Sequence, residues 1–328
     1  MTELLIFEAS LARIGDELSR RYPDVEPIAW SADGRLTKDG AAVVPSAINP
    51  KVGWISLDVL VAGKLEAYCE AVKRPGTIEW MQTLNAGLDH PVYAPLSAQG
   101  IRISKSSAQA LPIAEYVLGY ALYHFQRMDE RAKQQAARQW ELRPFPELSG
   151  SRWLIIGFGH IGRRIASRAR AFEADIVAVR QSERIDPLAD VTIGLSDLPQ
   201  YLPTADVVVL ACPHTDETDQ LADDGFFYNL KTGGLLINIA RGGLIDEDAL
   251  LAGLERDQPA RAVLDVFATE PLPRDHAFWQ HPKVTVTPHT SNAGAGTLHR
   301  GDIQFLENLG HFLRGESIPD EVPTRSTA

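Results

Sequence analysis

The stretch Trp153-Leu154-Ile155-Ile156-Gly157-Phe158-Gly159-His160-Ile161-Gly162 decides the fold of this chain. Its four apolar residues predict a buried β-strand, and the G-x-G-x-x-G spacing behind them is typical of a turn that opens a helix. In a dinucleotide site the first glycine permits the tight turn, the second lets a pyrophosphate approach the backbone, and the third lets helix and strand pack closely. A glycine-rich turn without a ligand is the alternative, but the strand before and the helix after favour a dinucleotide.

The residues after the next predicted strand indicate which dinucleotide is bound. The apolar run at 176–179 ends at Arg180-Gln181-Ser182, where a site for NAD usually has an acid that binds both ribose hydroxyls. A guanidinium suits a 2′-phosphate instead, and Ser182 and Arg184 could add donors. We therefore predict that NADP(H) is preferred and that NAD(H) can also bind. Arg180, Gln181 and Ser182 are the residues expected in the cofactor site. The alternative is that Arg180 is a solvated surface arginine.

Three polar residues each follow a different apolar, strand-like run. Arg241 follows the run at 235–239, Glu270 the run at 262–266, and His289 the run at 284–286. Each of them alone is more often structural or solvated than functional. All three follow strands of one predicted parallel sheet, however, and ligands gather at the carboxyl ends of such strands. An arginine that pairs with a carboxylate and an imidazole that moves a proton predict a reductase or dehydrogenase of 2-oxo or 2-hydroxy acids.

Short apolar runs alternate with helical stretches along the whole chain, which predicts an α/β fold with parallel sheets covered by helices. We predict strands at residues 4–7, 41–44, 78–84, 101–104, 153–156, 176–179, 207–212, 235–239, 262–266 and 284–286. We predict helices at residues 11–21 with Ser10 as N-cap, 111–128, 247–256 with Asp246 as N-cap, and about 294–314. The helix at 111–128 is so apolar that we expect it to be buried almost all round, and residues 129–143 predict an extended polar arm.

The composition limits the partners and the compartment. The 328 residues suit two domains, 45% of them are hydrophobic, and the net charge of −11 disfavours nucleic acid or an anionic membrane as a partner. The two cysteines, Cys69 and Cys212, form no metal-ligand motif, so we expect no metal site and a reducing compartment. The apolar run at 4–7 is too short for a signal peptide, and no run approaches the roughly 20 residues of a membrane span. We therefore expect a cytoplasmic protein.

The order of these motifs resembles the D-isomer-specific 2-hydroxyacid dehydrogenase family. The resemblance rests on the glycine motif, on segments 238–243, 270–273 and 287–289, and on the loop Asn85-Ala86-Gly87-Leu88-Asp89. It implies two Rossmann-like or flavodoxin-like doubly wound parallel-sheet domains with an active-site cleft between them. Residues 1–105 and 291–328 would form the substrate-binding domain, and residues 106–290 the dinucleotide-binding domain. The resemblance also implies a homodimer through the nucleotide domain, for which the helix and arm at 111–143 are suited.

The same resemblance implies roles for individual residues. His289 would donate a proton to the carbonyl of a 2-oxo acid, while Glu270 would hold the other ring nitrogen and favour the imidazolium. Arg241 would bind the substrate carboxylate, and the N–H groups of Ala86 and Gly87 would hold it as well. The residues expected beside the cofactor, besides the glycine motif and the segment after Val179, are Cys212, Pro213, Ala240, Arg241, Asp265 and His289.

Two positions, Arg180 and His214, depart from the family pattern, and Trp140 has an open role. His214 stands where the family often has an apolar residue, and it could touch the adenine or the phosphates or be a mere loop residue. Trp140, in the arm, could reach a neighbouring subunit's cleft, but we expect that it does not. Because Arg180 replaces the acid of the NAD-dependent members, the sequence favours NADPH-dependent reduction of glyoxylate or hydroxypyruvate.

Two alternative functions are weighed against this reductase. One is a dinucleotide-sensing regulator, similar to the co-repressors of the same fold, and the other is an NAD-dependent dehydrogenase of a larger acid such as a phosphoglycerate. The sequence contains no segment that resembles an added peptide-docking or regulatory region, and Arg180 weighs against NAD. The reductase is therefore favoured, and turnover with NADPH and a small 2-oxo acid would distinguish it from a sensor.

Overall fold

A computed structural model describes residues 1–181 and 185–322 of the chain. Contacts within the chain divide it into two compact units. The first unit comprises Met1–Ala108 and the described residues from Ala295 onward, and the second comprises Gln109–Gly294. Ser182 and Arg184, two residues expected near the cofactor, lie outside the described residues.

The described residues form fifteen strands and eleven α-helices. In chain order the strands are β1 (Thr2–Phe7), β2 (Val25–Trp30), β3 (Leu36–Lys38), β4 (Ala41–Val43), β5 (Val52–Ile55), β6 (Trp80–Thr83), β7 (Arg102–Ser104), β8 (Arg152–Ile156), β9 (Asp175–Val179), β10 (Val191–Ile193), β11 (Val207–Leu210), β12 (Leu235–Asn238), β13 (Arg261–Leu264), β14 (Val284–Val286) and β15 (Glu321–Val322). The helices are α1 (Glu8–Arg21), α2 (Leu57–Val61), α3 (Leu65–Lys73), α4 (Tyr93–Ala98), α5 (Ala110–Phe125), α6 (Met128–Ala136), α7 (His160–Arg170), α8 (Leu198–Tyr201), α9 (Asp224–Asn229), α10 (Glu247–Glu255) and α11 (Thr297–Leu313).

The sheet of the first unit has the order β15-β7-β6-β5-β1-β2-β3-β4. Its five central strands, β2, β1, β5, β6 and β7, are parallel to one another, and this 2-1-3-4-5 order is that of a flavodoxin-like sheet. The strands β3, β4 and β15 are antiparallel additions at the two edges. The C-terminal helix α11 contributes to the core of this unit, because Phe305 stacks on the ring of Trp54 at a centroid distance of 4.2 Å.

The sheet of the second unit has the order β10-β9-β8-β11-β12-β13-β14, and all of its strands are parallel. This is the 3-2-1-4-5-6 order of a Rossmann sheet with one further strand, and the order reverses between β8 and β11. Every residue of β11 and β12 is buried, as expected for a sheet with apolar clusters on both faces. The predicted fold class, two doubly wound parallel-sheet α/β domains, is confirmed.

Several local predictions were wrong for identifiable reasons. Ser10 is not an N-cap, because α1 already begins at Glu8, and the Ser10 hydroxyl donates to Asp58 from inside the helix. The arm is not fully extended, since α6 occupies its first part. The helix α5 is not buried almost all round, because the side chain of Glu115 and the backbone at Gly119 are exposed.

No helix of the described residues combines the length and apolarity that a bilayer span requires.

Candidate active site

The glycine motif forms a turn in which two glycines are required by close packing. Gly157 directly follows β8 and has a φ of +99°, and a Cβ atom there would lie 2.4 Å from the carbonyl carbon of Ala211. A Cβ atom on Gly162 would lie 2.2 Å from the carbonyl oxygen of Gly157. The β8 turn, the end of β11 and the helix α7 therefore come together at the point where the strand order reverses.

The second glycine of the motif has space in front of it. Gly159 is the N-cap of α7, and a Cβ atom built there would meet no heavy atom within 4 Å. The N–H groups at a helix N-terminus point toward a bound anion, so this space and the eleven-residue helix fit a dinucleotide pyrophosphate. The Phe158 side chain is buried, and Ile161 packs against the same apolar cluster, so both can face a ligand mainly through their backbone. His160 is exposed.

The end of β9 carries a charge cluster that the sequence only partly predicted. The N–H of Arg180 donates to the carbonyl of Ile193, and its guanidinium lies 3.9 Å from the buried carboxylate of Asp186. Arg163, from the first turn of α7, pairs with the same carboxylate. Asp186 was missed because nothing in its spacing from Arg180 marks it, and only the fold brings the three groups together. The amide of Gln181, which was predicted to be near the cofactor, donates to Glu217 at 3.0 Å.

The segment after β11 is built from packed residues. Cys212 is buried, and this burial raises the pKa of its thiol to about 11, so it is a packing residue and no nucleophile. Pro213 is exposed at the same edge of the sheet. The Nε2 atom of His214 lies 2.7 Å from Oδ1 of Asp219. The ring also lies close to Gly243, because a Cβ atom built on that glycine would be 2.6 Å from Cε1 of His214. His214 therefore packs against the turn that follows Arg241.

Arg241 lies in a turn that is fixed by a fully buried asparagine at the end of β12. The Asn238 amide donates to the carbonyl of Arg241 at 2.8 Å, and its oxygen accepts from the N–H of Ala240 at 3.0 Å. A Cβ atom on Gly242 would lie 1.8 Å from the carbonyl carbon of Phe267. The turn of Arg241 therefore lies directly against the backbone that leads to Glu270.

Glu270 and His289 form a direct pair. The Nδ1 atom of His289 lies 2.9 Å from Oε2 of Glu270, and the other carboxylate oxygen accepts from the N–H of Phe267 at 3.0 Å. Both side chains are partly exposed, at 43% and 37% of their surface, so solvent or a substrate can reach the pair. Because Nδ1 is hydrogen-bonded to Glu270, Nε2 is the ring nitrogen through which His289 can exchange a proton with a ligand.

The loop that carries His289 is held by Asp265, which is buried at the end of β13. Its carboxylate accepts from the hydroxyl of Thr287 and from the N–H groups of Thr290 and Ser291, at 2.6 to 2.9 Å. Because the single hydroxyl proton of Thr287 is donated to Asp265, its oxygen accepts from the hydroxyl of Tyr116 at 2.7 Å. His289 has a φ of +53°, and these bonds hold that left-handed backbone. The expected contact of Asp265 with the cofactor stays a prediction.

Ala86 and Gly87 belong to the first unit, where they follow the carboxyl end of β6. Their loop is anchored at Asn85, whose carbonyl accepts from the N–H of Ser106 at 3.0 Å and whose amide donates to the Tyr93 hydroxyl at 2.8 Å. The expected contact of their N–H groups with a substrate carboxylate stays a prediction. Within the second unit, the carboxyl ends of five parallel strands bring the glycine turn, Arg180, Arg241, Glu270 and His289 to one edge of the sheet.

Comparisons with known proteins show what the chain is similar to. Residues 118–291 match the family model described as D-isomer specific 2-hydroxyacid dehydrogenase, NAD binding domain. A glyoxylate/hydroxypyruvate reductase A of Serratia proteamaculans is 33% identical over 283 residues, which cover 83% of this chain and 82% of that protein. A D-isomer specific 2-hydroxyacid dehydrogenase family protein of Aeromonas salmonicida has a TM-score of 0.77 at 25% identity, covering 98% and 99% of the two chains. A D-isomer specific 2-hydroxyacid dehydrogenase of Xanthobacter autotrophicus, solved in complex with NADPH and MES, has the same fold. Its TM-score is 0.79 at 23% identity, and the match covers 99% of this chain and 98% of that protein.

Proposed function

The chain belongs to the D-isomer-specific 2-hydroxyacid dehydrogenase family, and from this premise we propose that it reduces a small 2-oxo acid of the glyoxylate or hydroxypyruvate type to the D-2-hydroxy acid. The observation that carries the proposal is the 2.9 Å pair of His289 and Glu270 at the sheet edge that also carries the glycine turn and Arg241. The same residues would serve the reverse oxidation. The reductase of Serratia proteamaculans supports the choice of substrate class.

The glycine turn and the N-terminus of α7 hold the pyrophosphate of a nicotinamide dinucleotide, which supplies the hydride when it is bound. Gly159 is suited to this role because its missing side chain leaves the approach to the helix open. The backbone of Phe158, His160 and Ile161 completes this cradle. At the adjacent strand ends, Cys212, Pro213 and Ala240 would line the dinucleotide.

His289 acts as the general acid of the reduction. Its Nδ1 atom is held by Glu270, so Nε2 donates a proton to the carbonyl oxygen as negative charge develops there. Glu270 is a positioning residue in this scheme, because it fixes the ring and balances the charge of the imidazolium. Arg241 pairs with the substrate carboxylate through its planar guanidinium, and the N–H groups of Ala86 and Gly87 would bind the same carboxylate.

We propose that NADPH is the preferred cofactor. Arg180 and Arg163 share one carboxylate, that of Asp186, so the end of β9 presents two guanidinium groups. A guanidinium suits a 2′-phosphate, and it contrasts with the acid that binds the ribose hydroxyls of NAD. The proposal includes NADH as a second cofactor that the enzyme can also use.

The proposed reaction is tested by turnover with a panel of acids and both cofactors. We expect oxidation of NADPH, followed at its absorbance, with glyoxylate and hydroxypyruvate, and weaker activity with pyruvate and with bulky 2-oxo acids. Binding of NADPH without turnover of any of these acids would favour a dinucleotide-sensing regulator instead. Activity confined to NADH and a larger acid would favour the biosynthetic alternative.

The arm after α6 supports a homodimer. Residues 137–147 are all exposed, and Trp140 and Leu142 among them have almost their whole side chains in water. Burial of apolar side chains of this size by a partner is favourable, so we propose that a second copy of the chain covers them.

Both cysteines are free thiols, which suits a reducing compartment, and we propose a cytoplasmic location.

A further inference from the structure

A second histidine–glutamate pair lies beside the loop that carries Glu270. The Nε2 atom of His276 is 3.1 Å from Oε2 of Glu247, and both side chains are about three-quarters buried. The Nδ1 atom of His276 accepts a bond from the N–H of Phe278 at 3.3 Å. Because Nδ1 is an acceptor, the ring proton is on Nε2, and His276 donates it to Glu247.

The carboxylate of Glu247 is bonded to both ends of this loop. Its Oε2 atom accepts from His276, and its Oε1 atom accepts from the N–H of Ala268 at 3.4 Å. Ala268 directly follows Phe267, whose N–H donates to Glu270. One carboxylate therefore closes residues 268–276 into a loop and lies one residue from the backbone group that holds Glu270.

Glu247 also lies only six residues after Arg241 in the chain. A short 3₁₀ helix, Gly242–Leu244, follows Arg241, and Asp246 then caps α10 through the N–H groups of Asp248 and Ala249. Glu247 begins α10, so its position is set by the same turn that positions Arg241. The side chain of Glu247 thus connects the Arg241 segment to the Glu270 loop.

Apolar packing stabilises the far end of this loop. The ring of Phe278 is buried and lies 4.6 Å from the ring of His276 and 6.4 Å from that of Phe267. The indole N–H of Trp279 donates to the carbonyl of Pro273 at 2.8 Å. The packing of Phe278 therefore fixes the ring of His276 on the side that does not face Glu247. A substitution of Glu247 acts mainly on the backbone at Ala268 and on the Glu247–His276 contact.

We propose that Glu247 and His276 are positioning residues, which fix the separation between the carboxylate-binding Arg241 and the Glu270–His289 proton donor. This inference rests on the proposed function, since it assigns a role within the same reaction. Neither residue is proposed to touch the substrate. Small displacements of the reacting groups cost large factors in rate, and a bridge between two such groups limits those displacements.

The test uses two variants of the full-length protein, Glu247→Ala and Glu247→Gln. The alanine removes both bonds, whereas the glutamine keeps an oxygen for Ala268 and removes the charge that His276 faces. We expect kcat for glyoxylate with NADPH to fall about tenfold in Glu247→Ala and less in Glu247→Gln, while the dissociation constant of NADPH stays within about twofold of wild type. The matched control is Glu255→Gln at the other end of α10, where the carboxylate is 3.8 Å from His281 and mostly exposed.

Measurements of kcat and of the melting temperature in the same variants separate positioning from simple stabilisation of the fold. Loss of the Glu247 bridge lets the Arg241 turn and the Glu270 loop move relative to each other, so kcat should fall even at temperatures at which circular dichroism shows Glu247→Ala to be fully folded. A merely structural residue would lower the melting temperature and leave kcat of the folded protein unchanged.

The outcomes distinguish the two proposals. Variants whose folded protein has wild-type kcat would overturn the positioning role while the reductase stands. The same holds for a fall in kcat that Glu255→Gln reproduces. A wild-type protein without turnover would overturn the proposed function and the positioning role together. If Glu247→Ala does not fold, Glu247→Gln decides by the same two readouts.

Discussion

His289 is the residue on which the proposed chemistry depends most directly. We expect His289→Ala to lower kcat for glyoxylate reduction by about 10²- to 10⁴-fold, the usual contribution of a positioned general acid. The affinity for NADPH, measured by fluorescence titration, should stay near wild type, because the glycine turn is formed by other strands. A variant that retains most of its turnover would show that another group protonates the carbonyl.

Arg180 is the residue that tests the cofactor preference. In Arg180→Asp the 2′-phosphate would lose its guanidinium, and the new carboxylate would suit ribose hydroxyls, although Asp186 lies nearby with the same charge. The ratio of kcat/KM for NADPH over NADH should therefore fall by at least about tenfold. Arg20→Asp, a change at an exposed arginine of the first unit, is the control for altered net charge. Equal ratios in all three proteins would contradict the phosphate assignment.

The single residues also show what a sequence can and cannot reveal about a site. Arg241, Glu270 and His289 were predicted because each follows an apolar run, and the carboxyl ends of parallel strands share one edge. Asp186 and Glu247 were missed because surface acids are common, and only the folded chain shows that one is buried and the other bonded to two ends of a loop.

At the scale of elements, the contact between the Arg241 turn and the Glu270 loop requires a glycine. A Cβ atom on Gly242 would lie 1.8 Å from the backbone of Phe267, so the two segments must separate in Gly242→Ala. We expect the free energy of unfolding to fall by about 1–3 kcal/mol and kcat to fall with it. Chemical denaturation and glyoxylate turnover measure the two effects.

Gly15→Ala is the matched control for this substitution. Gly15 lies inside α1, where a Cβ atom would meet its nearest neighbour at an ordinary 3.5 Å. Alanine there should stabilise the protein by about 0.5–1 kcal/mol, because it favours the helix. Equal effects of the two substitutions would mean that the close contact at Gly242 can relax without cost.

The elements that the sequence predicted are those with uninterrupted apolar runs. Strands β8, β9, β11, β12, β13 and β14 were all predicted to within a few residues, and Asp246 was correctly predicted as the cap of α10. Strands β2 and β5 were not predicted, because Pro27 and Gly53 interrupt their apolar patterns. Pairing with β1 on either side forms these strands despite their composition, so tertiary contacts override the local signal.

At the scale of the whole molecule, the chain forms one compact unit, leaves it at Ala108 and returns to it at Ala295. A break in composition does not mark either crossing point, and the packing of α11 on the first sheet, as in the Trp54–Phe305 stack, is what shows the return. Sequence periodicity predicts the elements of each sheet, whereas which helix covers which sheet depends on side-chain packing that the pattern alone does not specify.

The proposed homodimer is tested at the same scale. Trp140 and Leu142 would bury their apolar surface against a second copy, so the double change Trp140→Ser and Leu142→Ser removes much of that gain in free energy. Sedimentation equilibrium should give twice the chain mass for the wild type and a concentration-dependent shift towards a single chain for the variant, with unchanged far-UV circular dichroism. Val61→Ser, at a mostly exposed valine of the first unit, should leave the dimer intact. A wild-type protein of single-chain mass would refute the dimer, whereas a variant that dimerises as tightly as wild type would place the interface elsewhere.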